Sequence, residues 1–138
     1  MTKQEIRKFV YEYFDSHTFR EARYPNGQLK AIANFKGKKL DGPFSEWYQN
    51  GQLKVRKNFE NDELNGRFES YHENGKIAGR ANFKGGEFIG LVEQYYDNGQ
   101  LEFRVNYKDG LRDGVFEEFY RSGELRSRST WKNGIQID

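Results

Sequence analysis

Tyr24-Pro25-Asn26-Gly27-Gln28-Leu29-Lys30 is followed 24 residues later by Tyr48-Gln49-Asn50-Gly51-Gln52-Leu53-Lys54. The same offset continues through Asn74-Gly75, Asn98-Gly99 and Ser122-Gly123 without an insertion. Four more series keep the period: Gly42, Gly66, Gly90 and Gly114; Phe35, Phe59, Phe83, Tyr107 and Trp131; Leu29, Leu53, Ile77, Leu101 and Leu125; and Tyr24, Tyr48, His72, Tyr96 and Tyr120. A fixed period in this range marks stacked units that bury themselves against their neighbours. Within a unit the apolar residues alternate, as in Leu53, Val55 and Phe59, or Leu101, Phe103, Val105 and Tyr107. Period-two alternation punctuated by Asn-Gly predicts strands and hairpins, with Asn-Gly as a two-residue type I′ turn. Second turns fall midway, at Gly37-Lys38, Asn61-Asp62, Gly85-Gly86, Asp109-Gly110 and Asn133-Gly134. Residues 18–138 are therefore expected to form a mainly β domain. It is an elongated, curved, single-layer antiparallel meander of about ten short strands.

Two-residue turns fix the register. Around Asn50-Gly51 they predict Tyr48 opposite Leu53, Trp47 opposite Lys54 and Ser45 opposite Arg56. Later units give Glu69–Arg80, Glu93–Arg104 and Glu117–Arg128, with Glu73–Lys76 and Arg121–Glu124 flanking their turns. Around the second turns, Phe59 should face Leu64 and Phe83 should face Phe88. The resulting parity defines two faces. Face one carries Leu53, Val55, Phe59, Phe44, Phe68, Val92 and Phe116, with Tyr48, Tyr96 and Tyr120, and is the expected core side. Face two is polar, with the asparagines Asn34, Asn58, Asn82 and Asn106 and one aromatic stripe. Gly42, Gly66, Gly90 and Gly114 are expected bulge positions that curve the sheet.

Residues 2–15 break the pattern. Ile6, Phe9, Val10, Tyr13 and Phe14 have helical spacing, and Thr2 with Glu5 forms a capping-box pattern. Residues 1–17 are read as a helical cap on the first repeat, folded with it as one domain.

Composition limits the function. The 138 residues include 23 Lys+Arg, 21 Asp+Glu, 2 His, 15 Gly and no Cys, for a net charge of +2. Neither a disulfide framework nor a thiolate metal site can form. With 32% charged residues and a mean hydropathy of −1.06, the sequence contains no membrane-spanning stretch and no signal-like apolar run, so a cytoplasmic protein is expected. The 17% aromatic content argues against disorder. His17 and His72 lie 55 residues apart, too far for a local metal motif. No nucleophile elbow or phosphate loop is present. Rows of acids (Glu46, Gln94 and Glu118; Glu69, Glu93 and Glu117) read as solvated ion pairs rather than a catalytic dyad. No cofactor, metal or small-molecule substrate is implied.

Tyr24 to Lys30, followed by Asn34-Phe35-Lys36-Gly37-Lys38-Lys39-Leu40-Asp41-Gly42-Pro43-Phe44, resembles the MORN repeat and more closely its bacterial variant. The pattern recurs as Tyr48–Phe68, His72–Val92 and Tyr96–Phe116, with a partial copy from Tyr120, over residues 24–134. Ala78, Gly79, Ile89 and Arg112 depart from it. The resemblance implies the repeat fold and no catalytic residues. Proteins made of this variant are often grouped as YwqK-like antitoxins, partners of bacterial toxins. Other members serve as scaffolds and membrane-associated modules.

The sharpest functional candidate lies on face two. Trp47, Tyr71, Tyr95 and Phe119 form an aromatic row flanked by Arg56, Arg80, Arg104 and Arg128. Aromatics and arginine are enriched at protein-binding hot spots. The same residues also suit a purely structural role as cross-strand neighbours. The paired glutamates and the small net charge count against nucleic acid. The expectation is a non-enzymatic protein-binding module, most concretely an antitoxin or immunity-type protein that occludes a toxin. A scaffold or membrane-surface module is the first alternative, and a small carbohydrate-binding protein or enzyme the second.

Overall fold

The computed structural model describes residues 17–138. The helix expected over residues 2–15 lies outside them. Twelve strands follow in order: β1 (His17–Arg23), β2 (Leu29–Lys36), β3 (Lys39–Trp47), β4 (Leu53–Glu60), β5 (Glu63–Leu64), β6 (Gly66–Tyr71), β7 (Ile77–Lys84), β8 (Glu87–Tyr95), β9 (Leu101–Lys108), β10 (Leu111–Phe119), β11 (Leu125–Lys132) and β12 (Ile135–Gln136). They build one antiparallel sheet in sequence order, with the two-residue β5 pairing beside β4. The sheet is an open hairpin meander and does not close into a barrel.

The distal register is as expected, but the Asn-Gly turns are not type I′. Only their glycine takes a positive φ: +88° at Gly27, +90° at Gly51, +87° at Gly75, +90° at Gly99 and +95° at Gly123. In the second unit the Gly51 N–H donates to the Tyr48 carbonyl at 3.0 Å, and the Tyr48 N–H donates to the Gln52 carbonyl at 2.8 Å. This is a three-residue loop, a type I turn closed by a left-handed glycine. Tyr48 therefore pairs with Gln52 rather than Leu53, and Trp47 faces Leu53 rather than Lys54. One extra residue on β4 then restores the register, so that Glu46 faces Val55 and Ser45 faces Arg56. The longer loop also takes up Glu73 and Arg121. Lys76 and Glu124 pair with His72 and Tyr120 instead.

Four of the five second turns have type I′ signs; at Gly37-Lys38 only Gly37 takes a positive φ. Asn61 and Asp62 have φ of 48° and 69°, and Asp109 and Gly110 have 51° and 75°. Phe59 faces Leu64 and Phe83 faces Phe88, as the sequence predicts. Beyond the first four of these turns the outgoing strand carries two extra residues. Phe35 faces Leu40, for example, while Ala33 faces Phe44. Gly42, Gly66, Gly90 and Gly114 sit in these bulges at φ of 107°, 95°, 71° and 107°. Inserting two residues rather than one keeps every side chain on its face.

Face one is the core side. Val55, Ala81, Val92 and Val105 are buried there, and the last three form one cluster with Phe68, Phe83, Phe88, Phe103, Tyr107 and Phe116 packed against it. The aromatic rings meet edge-on or tilted, at 5.7 Å for Phe44–Phe59, 4.6 Å for Phe83–Phe88 and 6.0 Å for Phe103–Phe116. Such pairs add stabilisation beyond their buried area. Phe19 is buried as well, opposite the buried Asn34, whereas Arg20 beside it is exposed.

Successive repeats are stitched along the sheet edge that carries the Asn-Gly turns. The hydroxyls of Tyr24, Tyr48 and Tyr96 donate to the carbonyls of Trp47, Tyr71 and Phe119 at 2.7, 2.7 and 2.8 Å. His72 substitutes for the missing tyrosine, with Nε2 2.9 Å from the Tyr95 carbonyl. The turn asparagines run a second set of bonds. Asn50, Asn74 and Asn98 donate from Nδ2 to the carbonyls of Glu73, Asp97 and Arg121, at 3.0, 2.7 and 2.9 Å. Meanwhile their Oδ1 atoms accept from the backbone N–H two residues on, as from Gln52 at 2.9 Å. Asparagine therefore recurs here because it is both donor and acceptor, not because it tolerates positive φ.

Candidate binding face

Backbone pairing places one residue from each successive long strand in a single row on face two. The row reads Glu21, Ile32, Ser45, Arg56, Glu69, Arg80, Glu93, Arg104, Glu117, Arg128. From Arg56 onward it alternates in sign without a break. The expected Glu–Arg cross-strand neighbours are present, but the ion pairs form with the neighbour on the other side. Arg80 Nε lies 3.3 Å from Glu93 and Arg104 Nε 2.8 Å from Glu117. Glu69 is held by Arg67 at 3.5 Å and by the Tyr71 hydroxyl at 2.5 Å.

The aromatic row lies beside this ladder. Tyr95 accepts from Arg80 Nη2 at 3.1 Å and donates to Glu93 at 3.1 Å. The Arg80 guanidinium lies 5.6 Å from the Tyr95 ring centre, and that of Arg104 lies 6.0 Å from the Phe119 ring. Trp47, Tyr71, Tyr95 and Phe119 are all half-buried. The glutamates are mostly covered while the guanidiniums stay open, at 19% against 55% for the Glu93–Arg80 pair. Arg128 is exposed opposite Glu117, whose carboxylate is engaged by Arg104. The contacts fall into three neighbouring groups along the ladder: Tyr71 with Glu69 and Arg67, Tyr95 with Arg80 and Glu93, and Phe119 with Arg104, which holds Glu117. Trp47 and Arg128 continue their rows outside these groups.

Two ionisations on this face are displaced. The hydrogen bond to Glu69 raises the Tyr71 hydroxyl above its ordinary value, with burial and the Glu69 charge acting the same way against Arg56 and Arg80. The hydrogen bond to Tyr95 keeps Arg80 still more firmly protonated.

Apolar side chains join the ladder at its flank. Leu91 and Val115, two residues before Glu93 and Glu117, are 48% and 36% exposed. A groove of about 390 Å³ runs among Arg67, Glu69, Tyr71, Arg80, Leu91 and Glu93. Sequence reasoning missed Arg67, Leu91 and Val115, because they occupy the position held by Pro43 in the first unit and follow no residue-type rule. On face one, Tyr48 and Tyr96 spend their hydroxyls on the next repeat, while Tyr120 is 51% exposed. Among the described residues no group of three or more His, Asp and Glu side chains is placed to hold a metal ion, and no helix is long and apolar enough to cross a membrane.

An open sheet of stacked β-hairpins, stitched repeat to repeat and showing one charged aromatic face, defines a hairpin-repeat protein. The chain belongs to the MORN repeat variant family, whose profile matches residues 20–36, 40–61, 64–84, 89–109 and 112–133. A comparison with curated proteins gives no match. MORN repeats generally mediate protein or membrane interactions and are generally non-enzymatic.

Proposed function

We propose that the chain is a non-enzymatic binding module that engages a protein partner through face two. One observation carries this reading. Two ladder glutamates, Glu93 and Glu117, pin Arg80 and Arg104 beside Tyr95 and Phe119 while leaving the guanidiniums open to solvent. Arginine and tyrosine are the side chains that dominate protein interfaces, and holding them in place lowers the ordering cost of binding. Face one offers less, because its rings are turned onto one another.

The concrete form of the proposal is an antitoxin or immunity-type protein that covers the active surface of a toxin. Its support is the resemblance to the bacterial variant, a weaker warrant than the geometry. Affinity capture with wild type and a Trp47/Tyr71/Tyr95→Ala variant tests the face. Wild type should retain a partner that the variant loses. Arg104→Glu, which leaves the aromatic row intact, should weaken the same capture by at least tenfold. Equal capture by all three proteins would overturn the choice of face.

A further inference from the structure

The charged row on face two is interrupted at two adjacent positions, Ile32 in the basic series and Ser45 in the acidic one. Its acidic positions are Glu21, Glu69, Glu93 and Glu117, and the residue in phase between the first two is Ser45. Ser45 pairs directly with Arg56. On its other side Arg56 pairs with Glu69, whose two carboxylate oxygens already contact Arg67 and Tyr71. Arg56 is therefore an exposed guanidinium with no carboxylate within ion-pair distance among the described residues. Arg67, with its side chain 79% exposed, holds Glu69 only loosely. The two arginines line a depression of about 220 Å³ together with Pro43, Lys57, Asn58 and Glu69. Through Arg67 and Glu69 this depression runs into the groove that ends at Leu91.

We infer that the Ser45 gap is the docking point for an acidic side chain on an extended segment of the partner, which supplies the carboxylate that the repeat omits. Charge complementarity sets the first anchor, at Arg56 and Arg67. The groove sets the second. Arg56 on β4 and Leu91 on β8 are three strand spacings apart across the sheet and two residues apart along it, about 16 Å between backbones, which four extended residues and the reach of the arginine side chain span. The segment is thus acidic residue, three intervening residues, then an apolar residue against Leu91. This inference rests on the partner-binding reading of face two and specifies its chemistry.

The test uses a capped peptide with the core Glu-Gly-Ser-Gly-Leu, titrated into the isotopically labelled full chain, with the backbone, Arg Nε–H and Trp Nε1–H signals followed by NMR. Saturable shifts should concentrate at Arg56, Arg67 and Trp47. Replacing the peptide's Glu with Gln should weaken binding at least tenfold. Ser45→Glu, which restores the repeat's own acid, should weaken it similarly. It should also shift the Arg56 Nε–H signal without any peptide, a readout independent of affinity. The inference is overturned if the wild type shows no saturable shift up to about 10 mM peptide, a weaker limit than a millimolar contact requires. It is equally overturned if Ser45→Glu binds the peptide like wild type. Phosphatidylserine vesicles form a parallel arm. Binding of vesicles but not peptide, lost in Ser45→Glu, would assign the gap to a lipid headgroup and also overturn the inference. These failures leave the capture result untouched. Conversely, equal capture by wild type and the aromatic variant, with peptide binding intact, would refute the face-two partner while leaving the acid anchor.

Discussion

Replacing an asparagine with glycine should have opposite consequences at the two kinds of turn. Asn50 makes two side-chain bonds, accepting from the Gln52 N–H at 2.9 Å and donating to the Glu73 carbonyl at 3.0 Å. Each is worth about 0.5–1.5 kcal/mol net, with exposed bonds toward the low end. Glycine also adds backbone entropy to the unfolded chain at a position whose φ is not left-handed, about 0.5–1 kcal/mol. Asn50→Gly should therefore cost about 2 kcal/mol. Asn61 sits at φ 48°, and its backbone N–H donates to Asp41 at 3.1 Å. Glycine keeps that N–H and relieves the left-handed Cβ, which offsets the entropy term. Asn61→Gly should leave stability within about 0.5 kcal/mol of wild type. Urea unfolding of the three proteins reads the difference directly as a shift in midpoint at constant slope. If Asn50→Gly matches wild type, or the two variants lose equally, asparagine at the Asn-Gly turns is there for its dihedral angles. The strap between repeats is then refuted.

Val105→Ala removes two methyl groups from the most buried hydrophobic side chain described, at 3% exposure, and should cost about 2 kcal/mol in the same assay. Tyr48→Phe deletes the bond to the Tyr71 carbonyl and should cost about 1 kcal/mol, while leaving the strand signature in circular dichroism unchanged. Tyr71 titrates above its ordinary value of 10.0 because the neutral phenol donates to Glu69. A raised native value means that its contribution is complete below about pH 10, the unfolded value, and fades as pH rises through the native one. Tyr71→Phe should remove a component that ionises above pH 10 from the phenolate absorbance titration. It should also flatten the loss of stability above pH 10.

Much of the fold was legible because both turn series repeat with residue types that allow few conformations. The alternation of Leu101, Phe103 and Val105 placed the core side correctly, and Gly42, Gly66, Gly90 and Gly114 announced their bulges. Asn-Gly misled over the turn type, since the dipeptide also fits a type I turn closed by a glycine bulge. Two irregularities then cancel, a longer loop and one extra residue before Val55, so the distal register survived a local error at Trp47 and Tyr48. The stitching hydrogen bonds were present in the sequence as the Tyr and Asn series. Their direction, to carbonyls 23 residues on, depends on how the twisted sheet brings one turn over the next. On face two the arginine and aromatic rows were both readable. The gap at Ser45 is visible only once its row is aligned in space, because serine breaks no local rule.

The central claim is that face two, and not face one, meets the partner. Hydroxyl-radical footprinting reads side chains rather than backbone and so separates the two sides of a single sheet. With the captured partner bound, oxidation should fall at Trp47, Tyr71, Tyr95 and Phe119 and stay unchanged at Phe44, Phe68 and Phe103. Protection of the second set with the first left open would contradict the account.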